Sequence, residues 1–311
     1  SIYGGRARGV VEGEEPTLSN HPGTGTTGPR TVAWRTAAHR TPVSALTGLI
    51  ALVTMVTAVS GVLGPATAYP TTPLREAFAP NDAVTLALGL PVLAAAVWLT
   101  RRARPAGLLL WPGALCFLLY NCVAYLVALP LGWRWSAQLA AAALCLITIP
   151  ALVGRIDAAA TLRGFADRVP VRTTAGILAG LGALFLVRAA VILAGVVTGG
   201  QQATPAEVGT AVADLLITPT WVACGVLLWR RRPAGFAVAL GVLGQASMLF
   251  VGLVAFLLLQ PALTSVALVP SAVVVVAVMA LPCLVPFALF LRAALTPGRP
   301  DSSTGPAAPP R

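Results

Sequence analysis

Beyond residue 43 the chain alternates long apolar runs with short polar turns. Eight runs stand out, near 44–64, 83–100, 106–129, 135–153, 173–197, 209–229, 234–258 and 266–291. Each is long enough, at about 1.5 Å per helical residue, to cross about 30 Å of hydrocarbon. Lipid offers the backbone no hydrogen-bond partner, so runs of this kind are predicted as helices. The third and fourth runs, and the last two, are joined by short turns containing Pro130 and Pro261. The expected fold is an all-α transmembrane bundle of eight helices, with seven as the competing count. Residues 1–43 and 293–311 are polar and rich in Gly, Pro and Ser or Thr, and are expected to be disordered cytoplasmic tails. The first apolar run starts near Ser44 and is too long for a secretory h-region, so it is expected to be an uncleaved anchor.

A shift of 128 residues partly superimposes the chain on itself. Pro91 falls on Pro219, Arg102 on Arg230, and Arg104-Pro105-Ala106-Gly107 on Arg232-Pro233-Ala234-Gly235; Gly113 meets Gly241 and Gly48 meets Gly176. Matched Leu and Ala mean little in apolar sequence, so the Pro, Gly and R-P-A-G matches carry the weight. They divide the chain into two four-span halves, 44–154 and 173–292. With an even number of spans, both copies run the same way across the membrane, a parallel 4+4 arrangement. The joining segment 155–172 carries Leu162, Phe165 and Val169 at helical spacing among charges, the pattern of a short helix lying on the membrane surface.

Composition agrees with the pattern. Hydrophobic residues make up 57% and charged residues 10%, too few charges to cover so much apolar surface in water. The net charge of +11 comes entirely from Arg placed beside the apolar runs, and nucleic acid is not the expected partner; the lipid bilayer is. Eighteen Arg fall in the tails and every second loop, while the remaining loops hold only Arg75 and Arg134. The positive-inside rule then places both termini in the cytoplasm of a bacterial plasma membrane. Trp133, Trp135 and Trp229 lie near span ends, where Trp anchors at the interface.

Polar groups inside the spans are the candidate site. Arg188 in span five and Asp214 in span six lie in the same half of the bilayer on consecutive antiparallel helices. An unpaired charge at mid-bilayer costs about 2.5–3.5 kcal/mol on insertion scales, so the two are expected to pair. The shift aligns them with Ser60 and Leu86, so both charges are missing together from the first half. Asp82, Tyr120, Asn121 and Gln245, with Thr85 and Tyr125, complete the intramembrane polar set. Asn121 and Gln245 are expected to bond to neighbouring helices. If the set converges it forms an outward-facing polar vestibule, with Arg188 as an anion ligand; otherwise it ties helices together. Pro91 and Pro219, at matching places, are expected to kink spans two and six as hinges. Gly176-x-x-x-Gly180 is expected to allow a close helix approach.

No nucleophile elbow, metal-protease motif, P-loop or carboxylate pair at helical spacing is present, so enzymatic activity is not expected. The five Cys lie within apolar runs without C-x-x-C spacing, and the two His, His21 and His39, lie in the N-terminal tail. No metal or cofactor is expected. The stretches NDAVTLALGLPVLAAAVWLTRR (81–102), LLLWPGALCFLLYNCVAYL (108–126) and DLL…VLLWRRRPAG (214–235) resemble a group of bacterial eight-span membrane proteins without an assigned activity. The resemblance implies that Asp82, Asn121 and Asp214 sit in recurring motifs. The reading placed first is a small-molecule carrier or permease-like bundle. The alternative is a non-catalytic sensing, binding or assembly protein with a packed polar core.

Overall fold

A computed structural model describes residues 42–200 and 202–296. The expected disordered tails fall almost wholly outside them, as do His21 and His39. The described residues hold helices and turns, with no strand. Eight helical elements are long and apolar enough to cross a membrane: Pro42–Leu63, Thr72–Arg101, Pro105–Ala128, Trp133–Val153, Val171–Val197, Pro205–Trp229, Pro233–Leu263 and Pro270–Leu295, numbered here as spans one to eight. The protein is a multipass membrane protein, and its described residues hold eight helices of spanning length, not seven.

Two boundaries differ from the sequence expectation. Span two begins at Thr72, eleven residues early, because TPLREAFAPND folds as a helix despite its polarity, with Leu74, Phe78 and Ala79 buried. Span seven runs to Leu263 and carries Pro261 in its last turn, so the turn to span eight is 264–269 and does not contain that proline.

The ends of spans two and six are built alike. At each, the chain leaves the helix through a left-handed residue, Ala103 (φ 54°) and Arg231 (φ 49°). The Arg104 amide donates to Leu99 and that of Ala103 to Thr100; the Arg232 amide donates to Leu227 and that of Arg231 to Leu228. This is the Schellman arrangement, which satisfies the last carbonyls of a helix, and Pro105 and Pro233 then forbid its continuation. Gly107 and Gly235 follow because the returning helix crosses the backbone of residues 99–100 and 227–228 there, leaving no room for a Cβ. These turns mark what is called here the basic end of the bundle.

Span three is the centre, the most buried of the eight, while spans five and eight are mostly exposed. Spans three and seven cross where Gly113 meets the Gly241 backbone, so closely that a Cβ on Gly113 could not be accommodated. Segment 155–172 forms helix Ala158–Phe165, capped by Asp157, whose Oδ1 accepts from the Ala160 amide at 2.9 Å. Its Phe165 is buried with its ring 5.5 Å from that of Phe290. The apolar face expected to lie on lipid is therefore spent on the bundle.

Candidate functional site

The polar residues lie toward the end opposite the basic turns, in two groups that share span three. Asp82 is ten residues into span two and Asp214 nine into span six, so both carboxylates sit about 15 Å from a helix start. Each is 2% exposed.

Around Asp82 the ties come from three other parts of the chain. Tyr69, in the connection before span two, donates to Oδ2. Tyr125 of span three donates to Oδ1 at 2.7 Å. Arg134 of span four pairs with Oδ2 at 3.2 Å. The same guanidinium donates to the Thr57 carbonyl at 2.8 Å and the Ser60 hydroxyl at 2.5 Å, both on span one, and to the Tyr69 oxygen at 2.6 Å. Burial, and then the neighbouring carboxylate, push the Tyr69 phenol above its ordinary value, so it remains a donor to Asp82. Gly61 is required here, since a Cβ would overlap the Asp82 carboxylate. Beside it Asn81 donates to Asn121 at 3.0 Å and to Tyr125 at 3.2 Å. A cavity of about 10 Å³, the size of one water, is lined by Thr54, Thr57, Asp82, Thr85, Asn121 and Gln138 among others.

Around Asp214 the group is smaller. Arg188 of span five pairs with Oδ2 at 2.8 Å and Tyr120 of span three donates to Oδ1 at 2.9 Å. The Arg188 side chain is 47% exposed although its partner is buried. Thr218 turns its hydroxyl back on the Asp214 carbonyl at 2.7 Å, one residue before Pro219.

The expected Arg188–Asp214 contact is thus present. A single vestibule is not: Tyr120 turns toward spans five and six, while Asn121 and Tyr125 turn toward span two, so the polar set divides over different faces of span three. Gln245 belongs to neither group and accepts from the Trp221 indole at 3.2 Å, joining spans six and seven. Arg134, Tyr69 and Asn81 were not among the candidate residues. Their signal lay in position: Arg134, flanked by Trp133 and Trp135, and Asp82, two residues after Pro80, stand near the same end of their spans, and Arg134 reads in the sequence as an ordinary loop arginine.

Pro91 and Pro219 both follow an interruption. Span two passes through a π-helical segment, Thr85–Gly89, just before Pro91. Span six breaks at Thr218, where one helix ends and the next begins at Pro219. The glycine expectation needs correction. Gly176 and Gly180 are exposed and have open space where a Cβ would be, so among the described residues they make no close helix approach. Close packing of span five on span six falls instead to Gly182, against Val222, and to Ala175 and Ala179, against Gly225.

One further cavity is larger. A groove of about 490 Å³ runs between span one and the basic-end half of span two, from Ser44 and Arg101 to Met55 and Leu90. No group of His, Cys, Asp and Glu among the described residues could hold a metal ion. Comparison with protein-family models, curated proteins and solved structures gave no match.

Proposed function

We propose that this protein is a non-catalytic, membrane-embedded binding protein that holds one shape and meets its ligand from the side, through lipid. The observation that carries this reading is the closure of the Asp214 group: Arg188 and Tyr120 occupy both carboxylate oxygens at 2.8 and 2.9 Å. A carboxylate so engaged, and only 2% exposed, is not presented to a passing ligand, and the half-exposed Arg188 looks outward from the bundle instead of into a path through it. The Gly113–Gly241 crossing also leaves no gap between spans three and seven, where a path between two halves would run. The paired turns at 99–107 and 227–235 support a parallel 4+4 repeat, with the Gly113–Gly241 contact, between residues related by the 128-residue shift, on its twofold axis.

A carrier is the second reading, favoured by the interruptions before Pro91 and Pro219, where such motion would hinge. The two separate in a thiol-access experiment. Ala124→Cys, in a chain whose native Cys are replaced, lies against Gly209 beside the Asp214 group. In sealed vesicles a membrane-impermeant thiol reagent is expected to leave it unmodified from either face. Modification from both faces would establish a path and retire the closed-bundle reading.

A further inference from the structure

The geometry points to an anionic phospholipid as the occupant of the groove between spans one and two, with one acyl chain along the groove and the phosphate on Arg101 and Arg102. This rests on the reading of the protein as one that binds from the side.

Size comes first. The volume of about 490 Å³ lies within the range of small-molecule sites. The walls run twelve residues, or eleven helical rises, along each helix, 44–55 and 90–101. That is about 16 Å, close to the roughly 15 Å of hydrocarbon in one leaflet. A groove that starts at the headgroup level and ends near the bilayer middle matches a single acyl chain.

The lining follows the same division. Leu52, Met55, Leu90, Leu93, Ala94 and Val97 make the deep part, and Arg101 stands at the basic end. Thr47 spends its hydroxyl on the Val43 carbonyl at 2.9 Å, leaving an apolar wall. Trp98, 52% exposed, edges the groove with the Arg102 guanidinium 4.3 Å above its ring. Stacking leaves that guanidinium's edge free to meet phosphate oxygens. No acidic residue lines the groove. The chain's own residues 1–41 are a poorer occupant, since they carry five Arg against three Glu, the same sign as the mouth.

The test uses the full chain reconstituted in vesicles of equimolar phosphatidylglycerol and phosphatidylcholine, re-extracted gently and weighed by native mass spectrometry. The unaltered protein is expected to retain phosphatidylglycerol over phosphatidylcholine by roughly fivefold per arginine engaged. Gly48→Leu fills a space with nothing within 4 Å, so it leaves the fold intact and is expected to lose the retained lipid. Arg101→Gln with Arg102→Gln keeps bound lipid and loses the preference. Equal retention of both lipids by the unaltered chain overturns the inference. So does unchanged retention in Gly48→Leu, or a groove shown to be filled by a second copy or by residues 1–41. Modification of Ala124→Cys would end the closed-bundle reading and leave this result standing; equal lipid retention would do the reverse.

Discussion

Spans one and two, and spans five and six, occupy matching places under the 128-residue shift, yet they are held together in opposite ways. Spans five and six pack closely along the basic-end half. A Cβ on Gly225 would lie 2.7 Å from the Ala175 carbonyl oxygen, and one on Gly182 would lie 2.8 Å from the Val222 side chain. The shift places Val97 and Thr54 at those two positions in the first half. There span one stands away from that half of span two, rests on span four, and leaves the groove. What holds spans one and two is the polar tie at the other end, where Arg134 bridges Thr57 and Ser60 to Asp82. Two glycines therefore decide whether a pair of helices closes along its length. Without them, a buried ion pair fixes one end and the other splays.

The comparison breaks most severely at the tie. Asp82→Ala leaves Arg134 buried and uncompensated, and breaking a buried pair costs about 3–5 kcal/mol. Unfolding in mild detergent is expected to show a loss of that size. Asp82→Asn combined with Arg134→Gln, which removes both charges, should recover part of it. A smaller effect is expected from Gly225→Val with Gly182→Thr, which gives the second half the residues of the first. Overpacking of this kind costs about 1–3 kcal/mol, and cross-links between the basic-end halves of spans five and six should weaken. Smaller again is Arg188→Gln combined with Asp214→Asn, which removes both charges of a pair whose arginine side chain is 47% exposed. Polar contacts between membrane helices average about 0.6 kcal/mol, so the loss should be near about 1 kcal/mol. Gly48→Leu stands last, within about 0.5 kcal/mol as for an open surface site.

The sequence makes the spans legible because apolar length and arginine placement are additive signals that survive without knowledge of packing. Thr72–Asp82 escapes that signal: its burial depends on Tyr125 and Arg134, which belong to spans three and four. Pairing of Arg188 with Asp214 is readable because adjacent antiparallel spans must be neighbours. Pairing of Asp82 with Arg134 is not, since it joins spans two and four and requires Tyr69 to fold between them. Glycine roles are the least legible. Gly176 and Gly180 carry a packing motif and face open space, while Gly182 and Gly225 carry none and form the contact. Which face of a helix meets a neighbour is settled by the whole bundle, not by spacing within one span.

The unequal spacing of the two helix pairs is most directly tested by spin-label distances in lipid, between Gly48→Cys and Trp98→Cys in one chain and Gly176→Cys and Val226→Cys in another, native Cys being replaced in both. All four positions are exposed, and the 128-residue shift relates one pair to the other. The first distance is expected to be clearly the longer. Equal distances, or a shorter first, would contradict an open first pair beside a closed second.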